Sequence, residues 1–132
     1  MGYALPGDLK NIENEAAWDD RDNPKTLYGM LSRTVQNFPN HDAVSYQIFS
    51  GPKDKAETLS WKDLFDKTTQ AANMFRGLGV EETDVVAYVL PNSNETLLSL
   101  LGGAIAGIVA PINPLLDVDQ IAAILRETNA KV

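Results

Sequence analysis

The run from Asp84 to Pro114, DVVAYVLPNSNETLLSLLGGAIAGIVAPINP, constrains the fold of this chain more than any other stretch. It reads as strand, capped helix and strand, with a turn signal at each joint. Val85 to Leu90 is almost continuously apolar, the pattern of a strand covered on both faces, as in a parallel sheet. Asn92 and Glu95 bracket the helix start with capping-box spacing. Leu97, Leu98, Leu101, Ala104 and Ile105 give that helix a broad apolar face, and Ile108 to Ile112 is the next strand. Consecutive strands joined through a helix imply a right-handed parallel crossover and a layered α/β sheet.

The flanking segments extend the pattern. Thr26 caps a helix in which Leu27, Met30, Leu31, Val35 and Phe38 recur at helical spacing, and Pro39 ends it. Ala43 to Phe49 alternates, with Val44, Tyr46 and Ile48 on one face. Across the polar turn Ser50–Lys55, Ala56 to Leu59 returns as a shorter partner, which predicts a hairpin. Ser60 and Asp63 imitate a capping box before a helix with Leu64, Phe65, Thr68, Ala71, Ala72 and Phe75 inward, terminated by Gly77 and Gly79. Asp117 and Gln120 repeat the cap before a last helix with Ile121, Ile124, Leu125 and Thr128 inward, and Lys131–Val132 open a further strand. The expected fold class is α/β, a layered and mainly parallel sheet with flanking helices and an N-terminal β-hairpin. Residues 1–25 form a polar, irregular, acidic arm with Trp18 as its only large anchor, and residues 26–132 form the α/β unit.

Composition narrows the function classes. The 132 residues fit one domain. A net charge of −7 without clustered Lys and Arg leaves no nucleic-acid footprint. The absence of cysteine excludes disulfides, thiolate zinc sites and cysteine nucleophiles, and suits a cytoplasmic setting. Met1 to Lys10 has no apolar core, so no signal peptide is read there. Leu97 to Leu116 is uncharged, but Gly107, the β-branched pair Ile108–Val109, Pro111 and Pro114 break it. A membrane helix must stay unbroken, so this run is a buried helix followed by a buried strand, with no transmembrane segment.

No set of chemical groups identifies a catalyst. His41 is the only histidine and lies in a loop, where a solvated role suffices. Gly102-Gly103-Ala104-Ile105-Ala106-Gly107 lies late in a helix with no lysine, whereas a phosphate loop precedes a helix and continues into Lys and Ser/Thr. Close helix–sheet packing explains these glycines. Gly77-Leu78-Gly79 lacks the third glycine of a dinucleotide fingerprint and does not follow a strand. Glu81, Glu82 and Asp84 form a solvated charged turn, and Asp117 and Asp119 complement a helix dipole. No catalytic, cofactor-binding or metal-ligating residue is assigned.

Four short strings in this order resemble the N-terminal region of AMP-forming acyl-CoA synthetases, members of the adenylate-forming superfamily. Leu59-Ser60-Trp61-Lys62-Asp63-Leu64 is similar to the family's strand-to-helix junction, and Arg76-Gly77-Leu78-Gly79-Val80 to the close of that helix. Val85 to Ser93 resembles its "V-A-x-x-L-P-N-S" strand, and Gly107 to Pro114 its "G-x-x-x-P-x-N-P" segment. Thr83 stands where the family usually has glycine. Asn113 favours acyl-CoA synthetases over the peptide-synthetase adenylation domains that share the fold, which tend to carry Asp there.

The resemblance implies a two-step reaction. A carboxylate attacks the α-phosphate of ATP, giving acyl-adenylate and pyrophosphate, and the thiol of coenzyme A then displaces AMP. It implies ATP, Mg²⁺ and coenzyme A as cofactors of the parent enzyme, none expected on this chain alone. The family's Ser/Thr/Gly-rich phosphate loop, its later acidic and aromatic motifs and its C-terminal lysine have no counterpart here. The chain is therefore expected to be a partial N-terminal subdomain, inactive by itself, whose partner is the remainder of its own polypeptide. An unfinished sheet edge is expected to promote self-association. The alternatives are a free-standing α/β binding module and an amino-acid adenylation fragment.

Overall fold

The computed structural model of the protein describes residues 5–49 and 51–132. The α/β order expected from the sequence is present. A parallel pair, β3 (Val85–Val89) and β4 (Ile108–Ile112), is joined by α4 (Asn94–Ala106) and registered from Val85 opposite Ile108 to Val89 opposite Ile112. An antiparallel hairpin, β1 (Asp42–Tyr46) with β2 (Glu57–Ser60), forms a separate two-stranded sheet. Helices α2 (Leu27–Asn37), α3 (Trp61–Gly77) and α5 (Val118–Glu127) complete the α/β unit.

The central core is Phe75, Val80, Val86 and Ala106, where α3, the turn after it, β3 and α4 meet. The glycines of α4 make this approach possible. A Cβ on Gly102 would stand 2.7 Å from the Ala71 Cβ, and one on Gly103 would stand 3.2 Å from a Val109 methyl. Gly103 thus serves the helix–sheet contact expected of it, while Gly102 serves a helix–helix contact with α3. The uncharged run splits at Gly107 into α4 and β4, and no helix among the described residues is long and apolar enough to cross a membrane.

Helix starts follow side-chain chemistry. The Ser60 hydroxyl accepts the Asp63 N–H at 3.1 Å, and the Asp63 carboxylate accepts the Ser60 N–H at 3.3 Å, the reciprocal box expected. Asp117 and Gln120 exchange the same pair of bonds, at 2.8 and 3.2 Å. The cap of α4 is Ser93, which accepts the Thr96 N–H at 3.2 Å, and not Asn92. Of the glycines expected to terminate α3, only Gly79 takes a left-handed conformation, with φ 86°, whereas Gly77 remains helical.

Several boundaries differ from expectation. The arm is not wholly irregular, because α1 (Pro6–Glu13) begins with proline and its Asp8 carboxylate accepts the Leu5 N–H at 3.2 Å. None of α1 is buried. Trp18 opens a 3-10 turn, and the anchoring expected of its side chain lies outside the described residues, as does Ser50 of the hairpin loop. Strand β1 stops at Tyr46, leaving Ile48 and Phe49 exposed, where the Gln47 amide donates to the carbonyls of Gly51 and Asp54 in the loop, at 3.1 and 2.6 Å. In α2 only Leu31 is buried, and Met30 and Phe38 are exposed. In α5 nothing is fully buried: of the stripe expected to face inward, Ile121, Ile124 and Thr128 are half-buried and Leu125 is exposed.

The last residues pair with β3, although no strand is assigned to them. Lys131 donates its N–H to the Val85 carbonyl at 2.9 Å, and Ala87 donates to the Val132 carbonyl at 2.7 Å. The Asp84 carbonyl accepts the Ile108 N–H of β4. Successive carbonyls of a strand point to opposite edges, so residues 131–132 lie on the edge of β3 away from β4.

Candidate functional site

In open α/β sheets, ligands bind beyond the carboxyl ends of the strands. Here that places attention on Pro91–Asn94 after β3 and on Asn113–Leu115 after β4. The Thr96 hydroxyl donates to the Pro91 carbonyl, and Ser93 caps α4, so the turn leaving β3 is fixed by its own side chains. The Asn113 side-chain oxygen accepts the Leu115 N–H at 3.0 Å, which folds the chain over and leaves Leu115 90% exposed.

A cleft of about 360 Å³ opens between the hairpin and the start of α4, with Tyr46, Lys55 and Glu57 on one wall and Asn92, Ser93 and Glu95 on the other. A smaller hollow of about 230 Å³ adjoins it through Tyr46, Asn92 and Ser93 and reaches Asn94 and Leu97. Asn94 is 3% exposed, and neither atom of its amide has a hydrogen-bond partner among the described residues. Sequence reasoning missed this residue. Its only signal is that Asn92, Ser93 and Asn94 are three cap-forming types in a row, of which one can cap.

Electrostatics decide what the cleft can hold. Glu95 has its carboxyl held below the usual range, first by its own backbone N–H and then by the Ser93 hydroxyl. The positive end of α4 is thereby already met by a carboxylate. With Glu57 opposite and Lys55 as the one ammonium in the lining, the residues do not fit a triphosphate. Among the described residues, no group of three His, Cys, Asp or Glu side chains is placed to hold a metal ion.

The carboxylates singled out in the sequence do not converge there. Asp84 lies at the opposite end of β3, where it accepts the Glu81 N–H at 2.8 Å and the Lys131 ammonium at 2.5 Å. Lys131 is the main reason that its carboxyl is lowered, with the Glu81 N–H second. A general acid at neutral pH needs the reverse shift, so Asp84 is a structural anion. Glu81 and Glu82 are exposed. Asp117 is consumed as a cap and Asp119 stands in the first turn of α5. His41 is exposed, with its ring stacked on Phe38 at 5.4 Å between centroids.

Comparison with known proteins gives this geometry a context. The chain is 28% identical to the marinolic acid–CoA ligase of Pseudoalteromonas sp. (strain SANK 73390), over 97% of its own length and 21% of that protein's. It is 25% identical to gramicidin S synthase 2 of Aneurinibacillus migulanus, over 82% of its own length and 2% of that protein's. In structure it resembles the fatty acid AMP ligase of Legionella pneumophila, with a TM-score of 0.72 at 17% identity, covering 82% of this chain and 19% of that one. It likewise resembles the N-terminal subdomain of Klebsiella oxytoca NpsA, with a TM-score of 0.66 at 19% identity, covering 81% of this chain and 26% of that one. The chain thus spans about a fifth of the CoA ligase. The AMP-binding enzyme family profile matches residues 31–132, and this chain belongs to that family.

Proposed function

We propose that this chain is the N-terminal portion of an AMP-forming acyl-CoA synthetase. Its parent would join a fatty acid or related carboxylate to ATP, releasing pyrophosphate, and then pass the acyl group to the thiol of coenzyme A with loss of AMP. The observation that carries this reading is the reach of the likeness to a CoA ligase, which runs through 97% of the chain, whereas the likeness to the peptide synthetase covers 82%. Asn113 supports the same choice. A cytoplasmic setting, where ATP and coenzyme A are at hand, belongs to the same reading.

The chain's own contribution is scaffold. Developing charge at the α-phosphate calls for cradling amides, a metal ion and a cation. The cleft beside α4 offers two carboxylates and one ammonium instead. The arm of residues 1–25 docks on a unit formed by residues 26–132, and the parent's remaining segments cover what that unit leaves bare. Alone, the chain self-associates through its exposed Leu115 and Val118 and the part-filled edge of β3. Light scattering at high concentration that finds only monomer would overturn this last point.

ATP–pyrophosphate exchange tests the main reading. The 132-residue chain is expected to show none with fatty acids, aromatic acids or amino acids. The product of the complete reading frame is expected to exchange with a carboxylic acid and to release an acyl-CoA. Exchange that depends on an amino acid, with no thioester formed on coenzyme A, would assign the parent to the peptide synthetases.

A further inference from the structure

We propose that the Asp84–Lys131 ion pair is a register lock, which fixes where residues 131–132 lie along β3. Asp84 is a node. Its carbonyl accepts the first N–H of β4, from Ile108, at 2.9 Å. Its carboxylate closes the 81–84 turn through the Glu81 N–H at 2.8 Å and takes the Lys131 ammonium at 2.5 Å. The backbone there cannot shift freely, because Gly107 is packed so closely that a Cβ on it would stand 2.5 Å from the Asp84 carbonyl oxygen.

The segment it holds is weakly specified by its own backbone bonds. The Val85 carbonyl is shared by two donors, Lys131 N–H at 2.9 Å and Val132 N–H at 3.4 Å. A one-residue slip would begin at that shared carbonyl, with Val132 taking the place of Lys131. Such a slip would turn the side chain of Val132 to the other face of the sheet. In the observed register the Lys131 side chain reaches Asp84, which lies at the far end of a β3–α4–β4–α5 path. Among the described residues the only other ion pair is Lys62–Asp66, within one helix, and it constrains no pairing. Glu81 and Glu82, beside Asp84 in the same turn, add to the attraction for the ammonium.

Amide hydrogen exchange by NMR separates the lock from a general loss of stability. In Lys131→Met the Ala87 amide, which donates to Val132, is expected to exchange about two- to fivefold faster, while the Glu81 and Ile108 amides keep their rates. In Asp84→Asn both Ala87 and Glu81 are expected to accelerate, since the turn loses its acceptor charge as well. Lys131→Arg is expected to restore the Ala87 rate. An Ala87 rate unchanged in Lys131→Met would overturn the lock, as would acceleration of all three amides by one common factor.

Discussion

Helices α4 and α5 play the same topological part, each following a strand and leading back to the sheet, yet their surroundings differ. Both begin at a side-chain cap, and α5 has the fuller box. Helix α4 buries Asn94, Gly102, Gly103 and Ala106, with Gly102 against α3 and Gly103 against the parallel pair. Helix α5 buries no residue fully, and Val118 at its start is 80% exposed. Capping chemistry therefore determines where a helix begins, while burial depends on which neighbour is present to receive its face. The apolar spacing of Ile121, Ile124 and Leu125 predicted an inner face, and the described residues cover it only in part, with Ile121 and Ile124 half-buried and Leu125 exposed.

The largest expected effect lies in the α3–α4 seam. Gly102→Val places a branched side chain where a Cβ alone would meet the Ala71 Cβ at 2.7 Å and the Ala72 nitrogen at 3.1 Å. Overpacking of this kind costs about 1–3 kcal/mol, and the denaturant midpoint should fall accordingly. Ala123→Val on exposed α5 should stay within about 0.5 kcal/mol of the starting protein. Equal losses at the two positions would break the contrast between the helices.

Next in size is Asn94. Its amide is buried at the first residue of α4 with both polar atoms unpaired among the described residues, a state that costs about 1–3 kcal/mol. Asn94→Leu is expected to raise stability by about 1 kcal/mol in chemical denaturation. A clear fall instead would mean that the amide has a partner, such as an enclosed water, and that the seam is polar by need. Removing a cap comes third. Ser93→Ala should cost about 1 kcal/mol of global stability, whereas Asp117→Ala should fray α5 by circular dichroism with little change in the denaturant midpoint.

What could be read from the sequence follows the same division. Ser60–Asp63 and Asp117–Gln120 are local signals, and both formed the bonds their spacing implies. The parallel pair was legible because two apolar runs flank a capped helix, but the cover expected on both faces is incomplete among the described residues, with Val89 39% and Ile108 51% exposed. Helix α1 was overlooked although Pro6 and Asp8 marked its start, because the polar content of the arm outweighed them. Strand β1 was drawn too long because alternation continues to Ile48, while the Gln47 bonds found where it ends depend on a loop closing back. The cleft was not legible at all. Its walls come from the hairpin and from α4, and nothing in either segment alone records that they face each other.

Acid titration gives the smallest effect and extends the comparison to charge. Asp63, Asp84 and Glu95 all have lowered carboxyl pKa values, caused chiefly by the Ser60 hydroxyl, the Lys131 ammonium and the Glu95 backbone N–H respectively. A group whose folded pKa is depressed contributes stability above its unfolded value, near 4 for these side chains, and loses it as pH falls through the folded value. All three carboxyls are open to solvent, so screening keeps each contribution small. The melting temperature should therefore hold steady from neutral pH to about pH 5 and decline below pH 4. Asp84→Asn should flatten part of that decline, because the ion pair it removes no longer responds to protonation. An unaltered acid profile in Asp84→Asn would show that the 81–84 turn and the segment at Lys131 are held by backbone bonds alone.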